Sequence, residues 1–200
     1  MIRIILTGPH SCGKTTLANE LIRRWGEIFP ESEPSLLSEV ARTVMRTKGF
    51  TRADISSIEF QKAILDAQVE AESTIMRPFV SDRCLLDPIA YTLYKNPGVD
   101  GSNHRMLAVL PAVQSFLASY RDSTETLIIL LEPVKEFAQD DGTRSQVGSW
   151  EDWMECNRCF KAILRDTGMQ WSTLGPETVD LGTRVEKVKV LLKDAMRRRG

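Results

Sequence analysis

Long apolar runs are missing from this sequence. A helix that crosses a bilayer needs about 20 consecutive apolar residues, and the clearest apolar run, Leu127–Leu131, falls far short. The amino terminus meets a glycine loop before a signal-peptide core can form. These absences predict a cytoplasmic protein with no transmembrane segment. Cysteine is scarce as well, with four in 200 residues. Only Cys156 and Cys159 form a Cys-x-x-Cys, and no second pair completes a zinc site. That pair falls in an amphipathic helical pattern with Trp153, Phe160 and Ile163, so buried structural thiols are expected rather than a redox or metal centre. An excess of one charge is also lacking: the net charge is −1 at pH 7, which gives no global attraction to nucleic acid or to an anionic membrane. The basic residues Lys187, Lys189, Lys193 and Arg197 to Arg199 close the last predicted helix, where cations complement the helix dipole. Internal repeats and low-complexity tracts are absent.

What remains is an ordinary globular composition, 42% apolar and 26% charged, in a length that suits one domain over residues 1–200. Ile2 to Thr7 reads as a buried strand and Lys14 to Trp25 as a helix with Leu17, Leu21, Ile22 and Trp25 on one face. A weak strand, Leu36 to Ser38, precedes the helical stretch Val40 to Thr47. Ile55 to Ile75 reads as one long helix, stopped by Pro78. Phe79 to Ser81 is a third strand ending at Asp82, and Leu85 to Tyr94 resumes as helix. After the Gly, Pro and Asn-rich loop Asn96 to Asn103, another helix is expected from about Arg105 to Tyr120. Thr126 to Leu131 is the clearest strand. A polar segment, about 132–149, separates it from a helix over Trp150 to Asp166. Gln170 to Leu174 can form a last strand before a closing helix, Arg184 to Arg199. Strands alternating with helices imply a parallel sheet with right-handed crossovers and helices on both faces. Ligands bind such sheets at the carboxyl ends of the strands, so the residues just after each strand carry the functional argument.

The first of these segments is Gly8-Pro-His-Ser-Cys-Gly13-Lys14-Thr15, which matches the phosphate-binding loop G-x-x-x-x-G-K-[ST] at every fixed position. Its glycines let consecutive N–H groups turn inward as an anion nest. Lys14 supplies a point charge for the β- and γ-phosphates, and the Thr15 hydroxyl ligates Mg²⁺. The dipole of the following helix adds partial positive charge. The nucleotide contacts expected here are Gly8, His10, Ser11, Cys12, Gly13, Lys14, Thr15 and, as a lesser contact, Thr16. His10 is expected to line the loop rather than to act as a base. No Asn-Lys-x-Asp tetrad is present to select guanine, so adenine should be tolerated at least as well.

Asp82, after the third strand, sits where a second carboxylate holds Mg²⁺ directly or through water; as a plain structural residue it would cap the next helix. Arg83 beside it is a candidate phosphate contact. Glu39, after the second strand, is placed to accept a proton from a substrate hydroxyl or to clamp a ribose, or it is a solvated acid at a helix start. Asp140-Asp141-Gly142-Thr143-Arg144 lies where a lid would close over the phosphates and bring an arginine to the transferring group. Its plain reading is an Asp-Gly turn.

Several spaced features then agree. They are the phosphate loop, Ser38-Glu39-Val40-Ala41-Arg42, Phe60-Gln61 with Gln68, Asp82-Arg83-Cys84-Leu85-Leu86-Asp87-Pro88, Glu132-Pro133, and the Asp-Asp-Gly-x-Arg segment. Together they resemble the P-loop family that groups bacterial nicotinamide-riboside kinase domains with eukaryotic AAA-like ATPase domains. The resemblance implies an α/β P-loop NTPase fold: a five-stranded parallel sheet flanked by helices, nucleoside/nucleotide-kinase-like, with a lid. It further implies ATP with Mg²⁺ and phosphoryl transfer to a hydroxyl of a small nucleoside-like acceptor, with Lys14, Glu39, Asp82 and Arg144 in the catalytic roles. The rival expectation is a regulatory ATPase or GTPase switch with no acceptor. A third, a membrane-surface adaptor using the basic last helix, needs a partner that the sequence does not reveal.

Overall fold

The structure, a computed structural model, describes residues 1–38, 40–137 and 149–197. β1 (Arg3–Thr7) leads through the glycine loop into α1 (Lys14–Arg23). β2 (Ser35–Leu37), α2 (Val40–Lys48) and α3 (Ile58–Ser73) follow. Then come β3 (Phe79–Asp82), α4 (Leu86–Lys95), α5 (Ser102–Ala108) and α6 (Pro111–Arg121). β4 (Thr126–Leu131), α7 (Trp150–Asp166), β5 (Ser172–Leu174) and α8 (Leu181–Arg197) complete the order. The five strands form one parallel sheet in the order β2-β3-β1-β4-β5. β1 is central because its neighbours come from opposite directions of winding, and the loop that leaves it opens at the crevice where that direction reverses.

Each strand's side chains alternate between two cores. Ile4 and Leu6 of β1, Val80 of β3, and Ile129 and Leu131 of β4 pack against α1 and α8 through Leu17, Leu21, Val185 and Val188. Ile5, Phe79, Ile128 and Leu130 point the other way, onto α3, α4, α6 and α7 through Leu65, Ile89, Leu117 and Phe160. This period-2 inward pattern on both faces is why the strands read as nearly continuous apolar runs. Among the described residues no helix is long and apolar enough to cross a membrane.

Two helix expectations need correction. The single helix expected over Arg105 to Tyr120 is two, α5 and α6, parted at Val109 and Leu110. Leu110 takes an extended conformation (φ −57°, ψ 133°) because the ring of Pro111 disfavours a helical residue before it, and Pro111 then starts α6. The long helix expected from Ile55 starts at Ile58. Arg52–Ser56 is a separate 3₁₀ turn, capped by Thr51 and Asp54, and the Ser57 hydroxyl accepts from Phe60 N at 3.1 Å. Polar caps outrank apolar periodicity where a backbone N–H would otherwise be unpaired. For the same reason α8 begins before Arg184, at Leu181, where Asp180 Oδ1 accepts from Thr183 N at 2.7 Å. The expected lid arginine, Arg144, with Asp140, Asp141 and Gly142, lies outside the described residues, as does Glu39.

Candidate active site

The glycine loop is held by close backbone approach. Gly8 has φ 130°, and a Cβ there would collide with the Leu131 carbonyl at the end of β4. Gly13, at φ 83°, turns the chain into α1. Inside the loop Lys14 is buried, and its ammonium donates to the Gly8 carbonyl at 2.7 Å and to the Pro9 carbonyl. Burial, and then the nearby Arg83, lower its pKa from the ordinary lysine value. A cation so placed gains from any anion that enters the nest.

Parallel register brings the second segment to the first. Leu6 of β1 pairs with Asp82 of β3, and Arg83 N donates to the Leu6 carbonyl at 2.9 Å, so both residues lie beside the loop mouth. Thr15 Oγ1 donates to Asp82 Oδ2 at 2.5 Å, while Asp82 Oδ1 is buried without a hydrogen-bond partner. The structure thereby removes the capping role for Asp82: α4 has no side-chain cap, and Cys84 N is satisfied by Asp87 Oδ2 at 3.1 Å. An orphaned carboxylate oxygen next to a threonine hydroxyl is a donor set that fits Mg²⁺, which takes one or two protein oxygens and completes its shell with phosphate and water. Among the described residues no group of three or more His, Cys, Asp or Glu could hold a metal by itself, so such an ion would depend on the nucleotide. Arg83 has φ 90°, a conformation that costs a non-glycine residue energy and marks a position held by its surroundings. Its guanidinium meets Asp87 Oδ1 at 3.2 Å and stands over the Tyr91 ring at 5.7 Å. Asp87 is itself fixed by Thr7 Oγ1 at 2.8 Å.

The other loop residues have structural partners. The His10 ring stacks on Trp153 at 6.4 Å, and Trp153 Nε1 donates to the His10 carbonyl at 3.0 Å. Burial, then Lys14 and Arg83, lower the His10 pKa to about 4. It is neutral at pH 7 and lines the loop, with Ser11 (φ 59°) completing the turn. Cys12 is fully buried, and burial raises its thiol to about 11. Thr16 is exposed on α1 at the cavity rim. Cys156 and Cys159 are free and buried, with burial raising them to about 12 and about 11, as expected for structural thiols.

Arg184 carries no signal in the sequence pattern. It lies in a helix that reads as a solvated basic face, yet only 1% of it is exposed. Its Nη1 donates to the Cys12 carbonyl at 2.9 Å and its Nε to the Thr178 carbonyl at 2.6 Å, while Phe137 lies against its guanidinium at 4.9 Å. One side chain thus joins the phosphate loop to the turn after β5 and to the chain before residue 138. Glu132 is engaged at the end of β4 by Lys161 and by Asn157 Nδ2 at 3.4 Å. Gln61 Nε2 supports the Ile55 carbonyl at 2.6 Å, and Gln68 Nε2 joins a buried network with Glu72 at 2.9 Å and Ser81 at 3.3 Å.

A cavity of about 620 Å³ opens from Lys14 and Thr15, passes Asp82 and Arg83, and ends against α2 and the start of α3. Its far wall holds the apolar side chains Met45, Ile55 and Ile64 and the Phe50–Phe60 ring pair, 5.1 Å between centroids. Its volume lies within the range of small-molecule sites.

A family model described as an AAA domain matches residues 3–180. The chain belongs to the AAA-domain family. No curated protein matches this AAA domain in sequence. Solved structures share its fold at low identity. Deoxyadenosine kinase from M. mycoides with bound dCTP is 16% identical, with a TM-score of 0.61, covering 96% of this chain and 100% of that one. Thymidylate kinase from Ehrlichia chaffeensis is also 16% identical, with a TM-score of 0.63, covering 95% and 98%. The NadR protein in complex with NR is 18% identical, with a TM-score of 0.63, covering 92% of this AAA domain but 51% of that chain. The expected P-loop fold, with its five-stranded parallel sheet flanked by helices, is therefore established for this AAA domain. At these identities the likeness carries the fold and not the reaction.

Proposed function

We propose that this protein is a Mg-ATP-dependent kinase of the cytoplasm that transfers the γ-phosphoryl group to a hydroxyl of a small nucleoside-like acceptor. The cavity carries this reading. A switch that only binds and hydrolyses its nucleotide has no need of a further compartment of acceptor size, and here one opens directly from the phosphate loop past Asp82 and Arg83. The kinase folds of the structural neighbours support it.

In the proposed chemistry the loop amides and Lys14 hold the β- and γ-phosphates, and Thr15 and Asp82 hold Mg²⁺. When bound, the ion neutralises charge on the phosphate oxygens. The acceptor hydroxyl forms a bond to the γ-phosphorus as the bond from phosphorus to the β,γ-bridging oxygen breaks, and ADP leaves with that electron pair. Glu39 takes the hydroxyl proton. Arg83, fixed by Asp87 and Tyr91, steadies the transferring group, and Arg144 arrives with the lid as charge develops. Catalysis is then mainly positioning and electrostatics.

The test is ADP release from Mg-ATP across a panel of nucleosides, nucleotides and small alcohols. Release that depends on an acceptor supports the kinase. Slow hydrolysis indifferent to every acceptor would replace it with the regulatory ATPase.

A further inference from the structure

The layer between β3 and the helices α3 and α6 is not wholly apolar. Gln68 and Glu72 are four apart on α3, so they share the face that Leu65 turns to the sheet. Ser81, two residues after Phe79 on β3, points to the same side. All three are buried. Gln68 Nε2 donates to Glu72 Oε1 at 2.9 Å, which leaves its second hydrogen to be shared between Ser81 Oγ at 3.3 Å and the Arg83 carbonyl at 3.4 Å. The Ser81 hydroxyl donates to that same carbonyl at 2.5 Å. Glu72 is held from the far side by the Tyr120 hydroxyl, which donates to Oε2.

The network leaves the core at Arg83. This residue stands at φ 90°, a conformation that costs energy for any side chain with a Cβ unless its surroundings hold it there. Its N–H donates to the Leu6 carbonyl, and its guanidinium rests on Asp87 and Tyr91. Ser81 and Gln68 take its carbonyl. With N–H and carbonyl both tied, the two backbone dihedrals of Arg83 are fixed, and with them the direction in which its side chain leaves the end of the sheet. Glu72 turns Gln68 the right way round. Reversed, the amide would set its oxygen against the oxygens of Glu72 and Arg83. Packing alone does not call for these groups: apolar residues of the same shape can replace buried hydrogen-bonded partners at little cost in stability, and the surrounding layer is apolar.

We infer that Gln68 is a positioning residue: with Ser81 it holds the Arg83 carbonyl, and so keeps the Arg83 guanidinium facing the γ-phosphate at the loop end of the cavity. This rests on the kinase reading, in which Arg83 steadies the transferring group, and assigns what keeps it there. Gln68 is not among the residues that line the cavity, so it acts through the backbone of Arg83.

Calorimetric titration of the full chain with Mg-ADP, and with the Mg²⁺ complex of a non-hydrolysable ATP analogue, tests this. The ratio of the two dissociation constants reports what the γ-phosphate adds to binding. Arg83→Ala should lower that ratio about tenfold or more, from the loss of a charged hydrogen bond to phosphate. Gln68→Met and Ser81→Ala remove the two donors and leave Arg83 in place. Each should lower the ratio about threefold or more while Mg-ADP affinity stays at the parental level, which a general loosening of the core would not do. In an Arg83→Ala background Gln68→Met should add nothing further, since its effect passes through that side chain. Ser81→Ala carries the test by itself if Gln68→Met does not fold. A parental ratio in the folded variants, equal losses for Mg-ADP and the analogue, or effects that add in the double variant would each overturn the inference. A parental ratio in Arg83→Ala removes the γ-phosphate contact and the inference with it. Failure of the kinase reading looks different: the ratios fall as described, yet no nucleoside, nucleotide or small alcohol stimulates ADP release.

Discussion

Replacing Asp82 by asparagine should have opposite effects on the empty and the loaded protein. In the empty protein Oδ2 accepts the Thr15 hydroxyl at 2.5 Å and Oδ1 is buried without a partner. A buried acceptor left unpaired costs about 1–3 kcal/mol, and more when it is charged. Asparagine keeps an oxygen for Thr15 and puts a neutral amide in the orphan position, so the empty variant should be as stable as the parent or about 1 kcal/mol more stable. For a chain of this length that is a rise in Tm of about 2–4 °C. With Mg-ATP the sign reverses, because an amide replaces the anionic oxygen offered to the ion. A ligand at a hundred times its Kd stabilises by about 2.7 kcal/mol, and a tenfold weaker Kd removes about 1.4 kcal/mol of that. The Mg-ATP-induced rise in Tm should therefore shrink by about 3–6 °C, while the rise with ATP and EDTA changes little. Paired thermal melts of the two proteins under the three conditions decide it. A variant that is less stable when empty and keeps the full Mg-ATP shift would make Asp82 a structural residue and remove the proposed ion site.

Lys14→Ala should keep the fold but lose about a hundredfold or more in affinity for a non-hydrolysable ATP analogue, from the loss of a charge-assisted phosphate contact of about 3 kcal/mol; titration calorimetry reads this directly. His10 has its pKa depressed to about 4 by burial and by Lys14 and Arg83. The unfolded chain therefore takes up a proton near pH 6.5 that the folded loop refuses, and stability should fall as pH drops from 6.5 toward 4, by up to about 3 kcal/mol. His10→Asn should flatten that part of a denaturant-midpoint profile, and an unchanged slope would assign it to other groups. Arg184→Met preserves much of the stem but leaves the Cys12 and Thr178 carbonyls unpaired. It should cost about 3 kcal/mol, a drop of about 6–12 °C in Tm, with weakened ATP-analogue binding because the loop loses its brace. Arg144→Lys and Arg144→Ala should each lower kcat by about ten- to a thousandfold with little change in ATP affinity; steady-state rates at the parental level would send the search for a transition-state cation to Arg83.

The sequence by itself determined the parts whose information is local. The phosphate loop needs glycine at the two positive-φ positions that flank it, Gly8 and Gly13, and the motif states that need outright. The apolar runs of β1, β3 and β4 declared strands buried on both faces, and α7 was legible at both ends from its amphipathic period. Local signals failed where a cap or a ring decided the backbone, as at Ser57 and before Pro111. Tertiary structure alone decided what meets what. It set Asp82 against Thr15 through the register of β3 on β1, which no spacing along the chain encodes. It turned Arg184 from a solvated helix residue into a buried brace, because α8 packs against α1 and presents that side chain to the Cys12 carbonyl, far away in sequence. It also drew Arg42, Arg46 and Arg52 onto one cavity with Phe50 and Phe60. Charge and shape converge there only once α2 and α3 have packed, since side chains on separate elements acquire a common environment through packing and not through their order in the chain.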